Sequence, residues 1–222
     1  MGTSAIIFDL DGTLLDTLQD VADAANASLE TCGFPARPIH DYPDLIGGGV
    51  RHLFRKALPK DAGEADIDTC VAAFREIYSE HWNDSTAPYP GIPELIALLR
   101  ERGLKMAVLS NKPHEFTIRC VAAHFPEGTF DLVAGEGPET PAKPDPTGAL
   151  GIAERFGCEP AAMAFLGDSD IDMHTAVRSG MRPFGAGWGF RSKEELFRCG
   201  AIAVVDHPRE LPPLLERGEG EE

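Results

Sequence analysis

The feature that most constrains the fold is a short apolar run, Ala5-Ile6-Ile7-Phe8, which leads into Asp9-Leu10-Asp11-Gly12-Thr13. The run has the length and composition of a strand that is buried on both faces of a parallel sheet. Ligands of open α/β sheets bind just beyond the carboxyl ends of the strands, so Asp9 and Asp11 should lie at the edge of a crevice. Two carboxylates held so close together repel each other unless a cation or a proton joins them. The segment therefore predicts a divalent metal, an acid–base role for one carboxyl group, or both.

Further along the chain, short apolar runs alternate with segments of helical periodicity. This alternation predicts βαβ units and an α/β fold, a Rossmann-like parallel sheet with helices on both faces. The predicted strands cover residues 5–8, 105–109, 130–134, 162–166, 182–185 and 201–205, and the predicted helices cover residues 92–102, 114–124, 147–156, 171–179, 193–199 and 208–216.

One connection departs from this rhythm, because residues 16–88 contain no convincing strand and are far longer than an ordinary crossover. Helical periodicity recurs within them at 18–32, 50–58 and 67–82. We therefore predict an all-helical cap subdomain over residues 16–88, inserted after the first strand and lying above Asp9 and Asp11. The Rossmann-like core would then comprise residues 1–15 and 89–222.

The amino-acid composition limits the classes of molecule that the protein is expected to bind. The 222 residues carry 20 Lys and Arg against 36 Asp and Glu, a formal net charge of −16. Such a chain repels phosphate backbones and anionic lipid, so we expect neither nucleic acid nor a membrane as partner. A small phosphorylated metabolite can still bind where a metal and a few cations line the site. The chain has five widely spaced cysteines, and it contains neither an apolar run long enough to span a membrane nor a signal-peptide pattern. These features favour a cytoplasmic protein. The assembly is expected to be a monomer or a homodimer.

A second acidic cluster, Gly167-Asp168-Ser169-Asp170-Ile171-Asp172, follows a later apolar run. Because a helix is predicted to begin here, Asp168 and Asp172 can point back to the crevice. Helix capping explains the same residues, since Asp and Ser are favoured at helix starts. Two such clusters on separate strand ends favour a metal, and Mg²⁺ prefers oxygen ligands such as Asp9, Asp168 and one backbone carbonyl.

Two further segments carry groups that complement an anion. Ser110-Asn111-Lys112-Pro113 follows a strand, so Ser110 can offer a hydroxyl and Asn111 an amide to an anionic oxygen, although a helix N-cap is the favoured interpretation when this segment is taken alone. Lys143 lies in Pro141-Ala142-Lys143-Pro144 and can neutralise a phosphoryl group and nearby carboxylates. Taken alone, Lys143 would be read as an ordinary surface lysine.

These four segments resemble, in order and across the chain, the four motifs of the haloacid dehalogenase-like hydrolase superfamily, and the insertion resembles that family's helical cap. The resemblance implies that Asp9 is the nucleophile forming an aspartyl-phosphate and that Asp11 is first the acid and then the base. It implies that Ser110 and Lys143 bind phosphate beside Asn111. The implied Mg²⁺ ligands are Asp9, Asp168 and the main-chain carbonyl of Asp11. Asp172 would hold either the magnesium shell or Lys143, and Thr13 would support the site.

The sequence constrains the identity of the substrate less than it constrains the site residues. Asp11 favours phosphate-ester cleavage, because the dehalogenase branch lacks an acid at that position. Arg51, beside Gly47-Gly48-Gly49 in the cap, can form a two-pronged contact with a substrate carboxylate, although a solvated basic face is the simpler interpretation. Residues 187–196 and 206–208 are similar to the same region of phosphoglycolate phosphatases. We expect a phosphatase for phosphoglycolate or a similar metabolite. The alternatives are a β-phosphoglucomutase-like mutase, a broad phosphatase or pyrophosphatase, and a catalytically silent binding protein.

Overall fold

The protein is described by a computed structural model that covers residues 2–216. The strands are β1 Ala5–Phe8, β2 Leu15–Asp16, β3 Ala87–Pro88, β4 Lys105–Pro113, β5 Leu132–Glu136, β6 Met163–Gly167, β7 Arg182–Ala186 and β8 Ala203–Val205. The main sheet has six parallel strands in the spatial order β5-β4-β1-β6-β7-β8, and a separate antiparallel pair joins β2 to β3. The predicted α/β class is therefore confirmed.

Helices cover both faces of this sheet, which is why β1 is apolar at every position. The helices are α1 Leu18–Thr31, α2 Tyr42–Leu45, α3 Val50–Ala57, α4 Glu64–His81, α5 Ile92–Glu101, α6 His114–His124, α7 Thr147–Phe156, α8 Asp170–Ser179, α9 Lys193–Arg198 and α10 Leu211–Glu216. Side chains alternate along a strand, so Ile6 and Phe8 face α5, α6 and α10, whereas Ala5 and Ile7 face α7 and α8.

Several boundaries differ from the sequence prediction. Strand β4 continues to Pro113 rather than ending at residue 109, because Ser110 pairs with Gly135 of β5 although its neighbours are polar. The pair β2–β3 and helix α2 were not predicted, since two to four residues are too few to show a period. The predicted helix 208–216 is a 3₁₀ turn followed by α10.

Helices α1–α4 build a second hydrophobic cluster around Tyr42, Phe54 and Phe74, to which Phe116 of α6 also belongs. The chain enters and leaves this helical region through the β2–β3 pair, in which Leu15 lies opposite Pro88. The division of the chain at residues 16 and 88 remains our proposal, and residues 217–222 of the proposed core lie outside the described residues. Within residues 2–216, no helix has the length and hydropathy needed to cross a membrane.

Candidate active site

Asp9 and Asp11 follow β1 directly, at the carboxyl edge of the sheet, as the sequence predicts. The turn after them depends on Gly12, whose φ of +85° lies in the left-handed region. A side chain at this position would collide with Asp168 and with the ring of Phe190. The absence of a side chain at Gly12 therefore lets the loop after β1 pack directly against the loop after β6.

Three carboxylates meet at this edge. One oxygen atom each from Asp9, Asp168 and Asp172 lies within 4.8 Å of the others, and all three residues are buried. The same residues also cap a helix, because the Ser169 hydroxyl accepts a hydrogen bond from the Asp172 N–H at the start of α8. Helix capping and the carboxylate cluster are therefore both present. The Asp172 carboxylate accepts in return from the Ser169 N–H and hydroxyl, at 3.1 and 2.6 Å.

Lys143 is the cation of this cluster. Its Nζ lies 2.7 Å from Asp9 and 2.6 Å from Asp172, and its side chain is only 2% exposed. Asn111 holds the lysine backbone, because its Oδ1 accepts from the Lys143 N–H at 2.6 Å and its Nδ2 donates to the Lys143 carbonyl at 3.0 Å. The same Nδ2 also donates to the Gly47 carbonyl of the cap. Asn111 therefore positions Lys143, and its amide is already engaged.

The cluster carries more negative than positive charge. Burial and the neighbouring Asp172 raise the pKa of Asp9 well above its ordinary value, although Lys143 opposes the shift. Burial and Asp172 also raise the pKa of Asp168 to about 7. Buried oxygen donors with excess negative charge are the ligand set that a hard divalent cation such as Mg²⁺ prefers. The residues present therefore fit Mg²⁺, which would be held by Asp9 and Asp168.

The raised pKa values of these buried carboxyl groups predict that the effect of Mg²⁺ on the stability of the fold depends on pH. The raised pKa of Asp168 means that its proton stabilises the folded, metal-free protein fully below about pH 4, where the unfolded carboxyl also titrates. That contribution is lost as the pH rises through about 7. Since Mg²⁺ binds the deprotonated carboxylates, the increase in melting temperature caused by Mg²⁺ should grow from pH 5 to pH 8.

Thermal unfolding in EDTA and in Mg²⁺, at pH 5, 6, 7 and 8, measures this difference. The Asp168→Asn variant is the matched control, because it removes the titrating group and one metal ligand together. An equal Mg²⁺ effect at pH 5 and pH 8 in the unmodified protein would contradict the assignment.

Asp11 has a partner that the sequence analysis did not identify. Lys112 Nζ lies 2.6 Å from Asp11 Oδ1, and the lysine side chain is 5% exposed. Burial alone would lower the pKa of Lys112, but the Asp11 carboxylate more than offsets this and raises it well above its usual value. The Ser110 hydroxyl oxygen accepts from the Lys112 N–H, so the hydroxyl proton stays available for a ligand. Lys112 follows Ser110 and Asn111 directly, and its position beside them was the one available signal.

A cavity opens above Asp9 and Asp11, between the sheet edge and the cap helices. Ser110, Asn111 and Lys112 line its core side. Arg51, the predicted carboxylate contact, is not among its lining residues: its side chain is 45% exposed, and its guanidinium pairs with Glu64 and Asp68 on the outer face of the cap. The structure therefore does not bring Arg51 to the other candidate residues, because α3 turns Val50 and Leu53 toward the cavity instead.

The loop after β7 connects the acidic cluster to the cap. Asp168 accepts from the Thr13 hydroxyl at 3.0 Å and from the Phe190 N–H at 2.8 Å, so both residues hold this carboxylate in place. The next residue, Arg191, is 7% exposed at its side chain and donates to the Pro43 and Ile46 carbonyls of the cap. Sequence similarity drew attention to this loop but did not indicate that Arg191 joins the cap to the core.

A parallel sheet whose carboxyl edge carries clustered carboxylates and a buried lysine, beneath a helical insertion, has the architecture of the haloacid dehalogenase-like hydrolases. The chain belongs to this family, because the family model for haloacid dehalogenase-like hydrolase matches residues 6–186.

Individual relatives are similar over most of their length. The phosphoglycolate phosphatase of Aquifex aeolicus is 37% identical over 185 residues, which cover 83% of this chain and 85% of the relative. The N-acetylmuramic acid 6-phosphate phosphatase of Pseudomonas aeruginosa is 31% identical over 219 residues, covering 98% and 96%. A crystal structure of a candidate phosphoglycolate phosphatase from Lactobacillus delbrueckii superposes with a TM-score of 0.93 at 30% identity, covering 98% of this chain and all of that one.

Proposed function

We propose that this protein is a Mg²⁺-dependent phosphatase that hydrolyses a small phosphate monoester through an aspartyl-phosphate, with phosphoglycolate or a similar metabolite as substrate. The observation that carries the proposal is the meeting of Asp9, Asp168 and Lys143 at one sheet edge, with Asp11 two residues away. The relatives from Aquifex aeolicus and Pseudomonas aeruginosa are named as phosphatases of two different phosphate esters. Their names support hydrolysis of a phosphate monoester but do not identify the organic part of the substrate.

In this mechanism, a carboxylate oxygen of Asp9 attacks phosphorus and the bond from phosphorus to the ester oxygen breaks. Asp11 donates a proton to the departing oxygen, which leaves as an alcohol. Asp11 then removes a proton from a water molecule that attacks the aspartyl-phosphate, so that phosphate leaves and Asp9 is restored. One acid–base group can serve both half-reactions, because the proton it gives in the first is regained in the second.

The remaining residues bind and neutralise the phosphoryl group. The Ser110 hydroxyl donates to a phosphoryl oxygen, and Lys143 offsets the negative charge of both the phosphate and Asp9. When bound by Asp9, Asp168 and the Asp11 main-chain carbonyl, Mg²⁺ supplies further charge neutralisation. Asp172 keeps Lys143 in place, and Asn111 fixes the lysine backbone.

The Asp11→Asn variant should lose about a hundred- to ten-thousand-fold in turnover, because an amide cannot donate and accept the required proton. Mg²⁺ binding should change little, since only the main-chain carbonyl of Asp11 is a proposed ligand. Steady-state kinetics and Mg²⁺ titration measure the two effects separately. Near-normal turnover would refute the acid–base role of Asp11.

Phosphate release from a substrate panel tests the proposed function as a whole. The panel contains 2-phosphoglycolate, N-acetylmuramic acid 6-phosphate, hexose phosphates, nucleotides and pyrophosphate, each with Mg²⁺ and with EDTA. We expect Mg²⁺-dependent release that is strongest with phosphoglycolate or a close analogue. Weak release from many esters would indicate a broad phosphatase, and an isomerised sugar phosphate without net release would indicate a mutase. No turnover by the folded protein would contradict the proposal.

The same proposal extends to partners and location. We propose a small phosphorylated metabolite as the partner, and a monomer or homodimer as the assembly. We also propose a cytoplasmic location, which the cysteines support because all five are free thiols.

A further inference from the structure

The cavity above Asp9 and Asp11 is apolar over most of its wall. Cap helices and α6 supply this wall, which would surround the organic part of a phosphate ester. The apolar lining residues are Val21, Ile46, Val50, Leu53, Phe74 and Phe116. Polar groups that interrupt such a wall are the ones able to select one organic group over another.

Two buried polar side chains interrupt it on the side of Asp11. Tyr78 of α4 is only 2% exposed, yet its hydroxyl has no hydrogen-bond partner among residues 2–216. Lys112 Nζ lies 5.2 Å from the centre of the Tyr78 ring and contacts Asp11. A buried hydroxyl without a partner costs free energy, so an acceptor at this place would be stabilising.

The two groups are held firmly, Tyr78 by helix α4 of the cap and Lys112 by strand β4 of the sheet. The ring of Tyr78 stacks on Phe74 at a centroid distance of 5.0 Å and an interplanar angle of 13°. Lys112 belongs to β4, in the part of the strand that extends beyond Leu109. Arg75, on the same helix as Tyr78, lies exposed at the cavity and makes no ion pair or hydrogen bond with any residue from 2 to 216. This side of the cavity therefore offers hydrogen-bond donors and positive charge, within an otherwise apolar wall.

We propose that Tyr78 and Lys112, with Arg75 at the rim, form a subsite for a carboxylate on the organic part of the substrate. The subsite rests on the proposed phosphatase function and names the substrate class more closely. Lys112 touches Asp11, the group that faces the ester oxygen in the proposed mechanism, so the bound carboxylate lies within one or two carbon atoms of that oxygen. The preferred substrates are therefore phosphate esters of short 2-hydroxy acids. The carboxylate accepts a hydrogen bond from the Tyr78 hydroxyl and shares Lys112 with Asp11.

The test compares 2-phosphoglycolate with 2-hydroxyethyl phosphate, which has the same length but ends in a neutral alcohol. We expect the unmodified protein to favour phosphoglycolate by about a hundredfold or more in kcat/KM, because the neutral ester leaves the subsite groups unpaired. Tyr78→Phe keeps the ring stack and removes only the hydroxyl, so the ratio should fall by about tenfold. Lys112→Gln should lower it by at least as much.

Matched variants control for general effects of substitution. Tyr42→Phe removes another phenol of the cap, one that hydrogen-bonds to Asn26 outside the cavity, and should leave the ratio unchanged. Arg75→Gln should lower the ratio, whereas Arg55→Gln on the exposed face of α3 should not. Equal losses for both substrates in Tyr78→Phe would indicate a structural role and overturn the proposal. A fall in the ratio with Arg51→Gln but not with Tyr78→Phe would also overturn it.

A binding measurement separates failure of the subsite from failure of the proposed function. Calorimetric titration of phosphoglycolate and Mg²⁺ into the Asp9→Asn variant should give an affinity about tenfold higher than into Asp9→Asn combined with Tyr78→Phe. Equal affinities would overturn the subsite even if the protein hydrolyses phosphoglycolate. A tenfold difference would support the subsite even if no turnover is found, in which case only the proposed hydrolysis fails.

Discussion

The Asp9→Asn variant is expected to lose at least about 10⁴-fold in phosphate release, because an amide oxygen cannot form the aspartyl-phosphate. The fold should remain intact, since Asn has nearly the same shape and Lys143 still pairs with Asp172. The free energy of unfolding in EDTA at pH 8 should stay equal or increase. The reason is that burial and Asp172 already raise the pKa of Asp9, so its ionised form is disfavoured in the metal-free protein.

Steady-state kinetics at saturating substrate and urea unfolding in EDTA measure the two effects. The exposed Asp61 provides a matched control, since Asp61→Asn should change neither. Retention of more than a few per cent of the activity by Asp9→Asn would exclude the covalent mechanism.

The Lys143→Met variant is expected to lose both folding stability and activity, which is the second large effect. Removing this buried cation leaves Asp9, Asp168 and Asp172 together without the lysine that pairs with two of them. Breaking a buried ion pair on one side typically costs about 3–5 kcal/mol, so urea unfolding in EDTA at pH 8 should show a loss of that order. Mg²⁺ should restore part of it, because the metal replaces some of the missing positive charge.

Two controls keep this prediction testable. Lys193→Met removes an exposed lysine that pairs with Asp206, and its effect should be below about 1 kcal/mol. If Lys143→Met does not fold, adding Asp172→Asn should restore folding by removing one of the unpaired carboxylates. A loss for Lys143→Met no larger than that for Lys193→Met would contradict the electrostatic account of the cluster.

Local sequence identified the parts of the site that follow directly from strand ends. Asp9, Asp11, Ser110 and Asp168 each come within three residues of the end of an apolar run, and parallel strands bring such ends to one edge. The α/β class followed from the same pattern. The placement of these four residues at one sheet edge can therefore be predicted from the amino-acid sequence, whereas Lys143 follows no strand end and the family resemblance is needed to give each residue a role.

Other features depended on contacts between residues far apart in the chain. Arg51 was a reasonable candidate for a carboxylate contact, but the rotation of α3 directs it to Glu64 and Asp68. Asn111 was expected to meet the substrate, and the structure shows its amide holding the Lys143 backbone. Neither outcome has a local signal, because Arg51 is paired by α4 within the cap and Asn111 by the loop before α7 within the core.

The sequence by itself determined the buried strands, the acidic motifs at their ends and the family. Each of these depends on residues within a few positions of one another or on the order of short motifs. Only the tertiary structure decided that Lys112 pairs with Asp11, that the buried hydroxyl of Tyr78 beside the cavity has no hydrogen-bond partner among residues 2–216, and that Arg191 holds the cap. The physical reason is that these contacts join elements that are distant in sequence, so their geometry is set by how helices pack on the sheet.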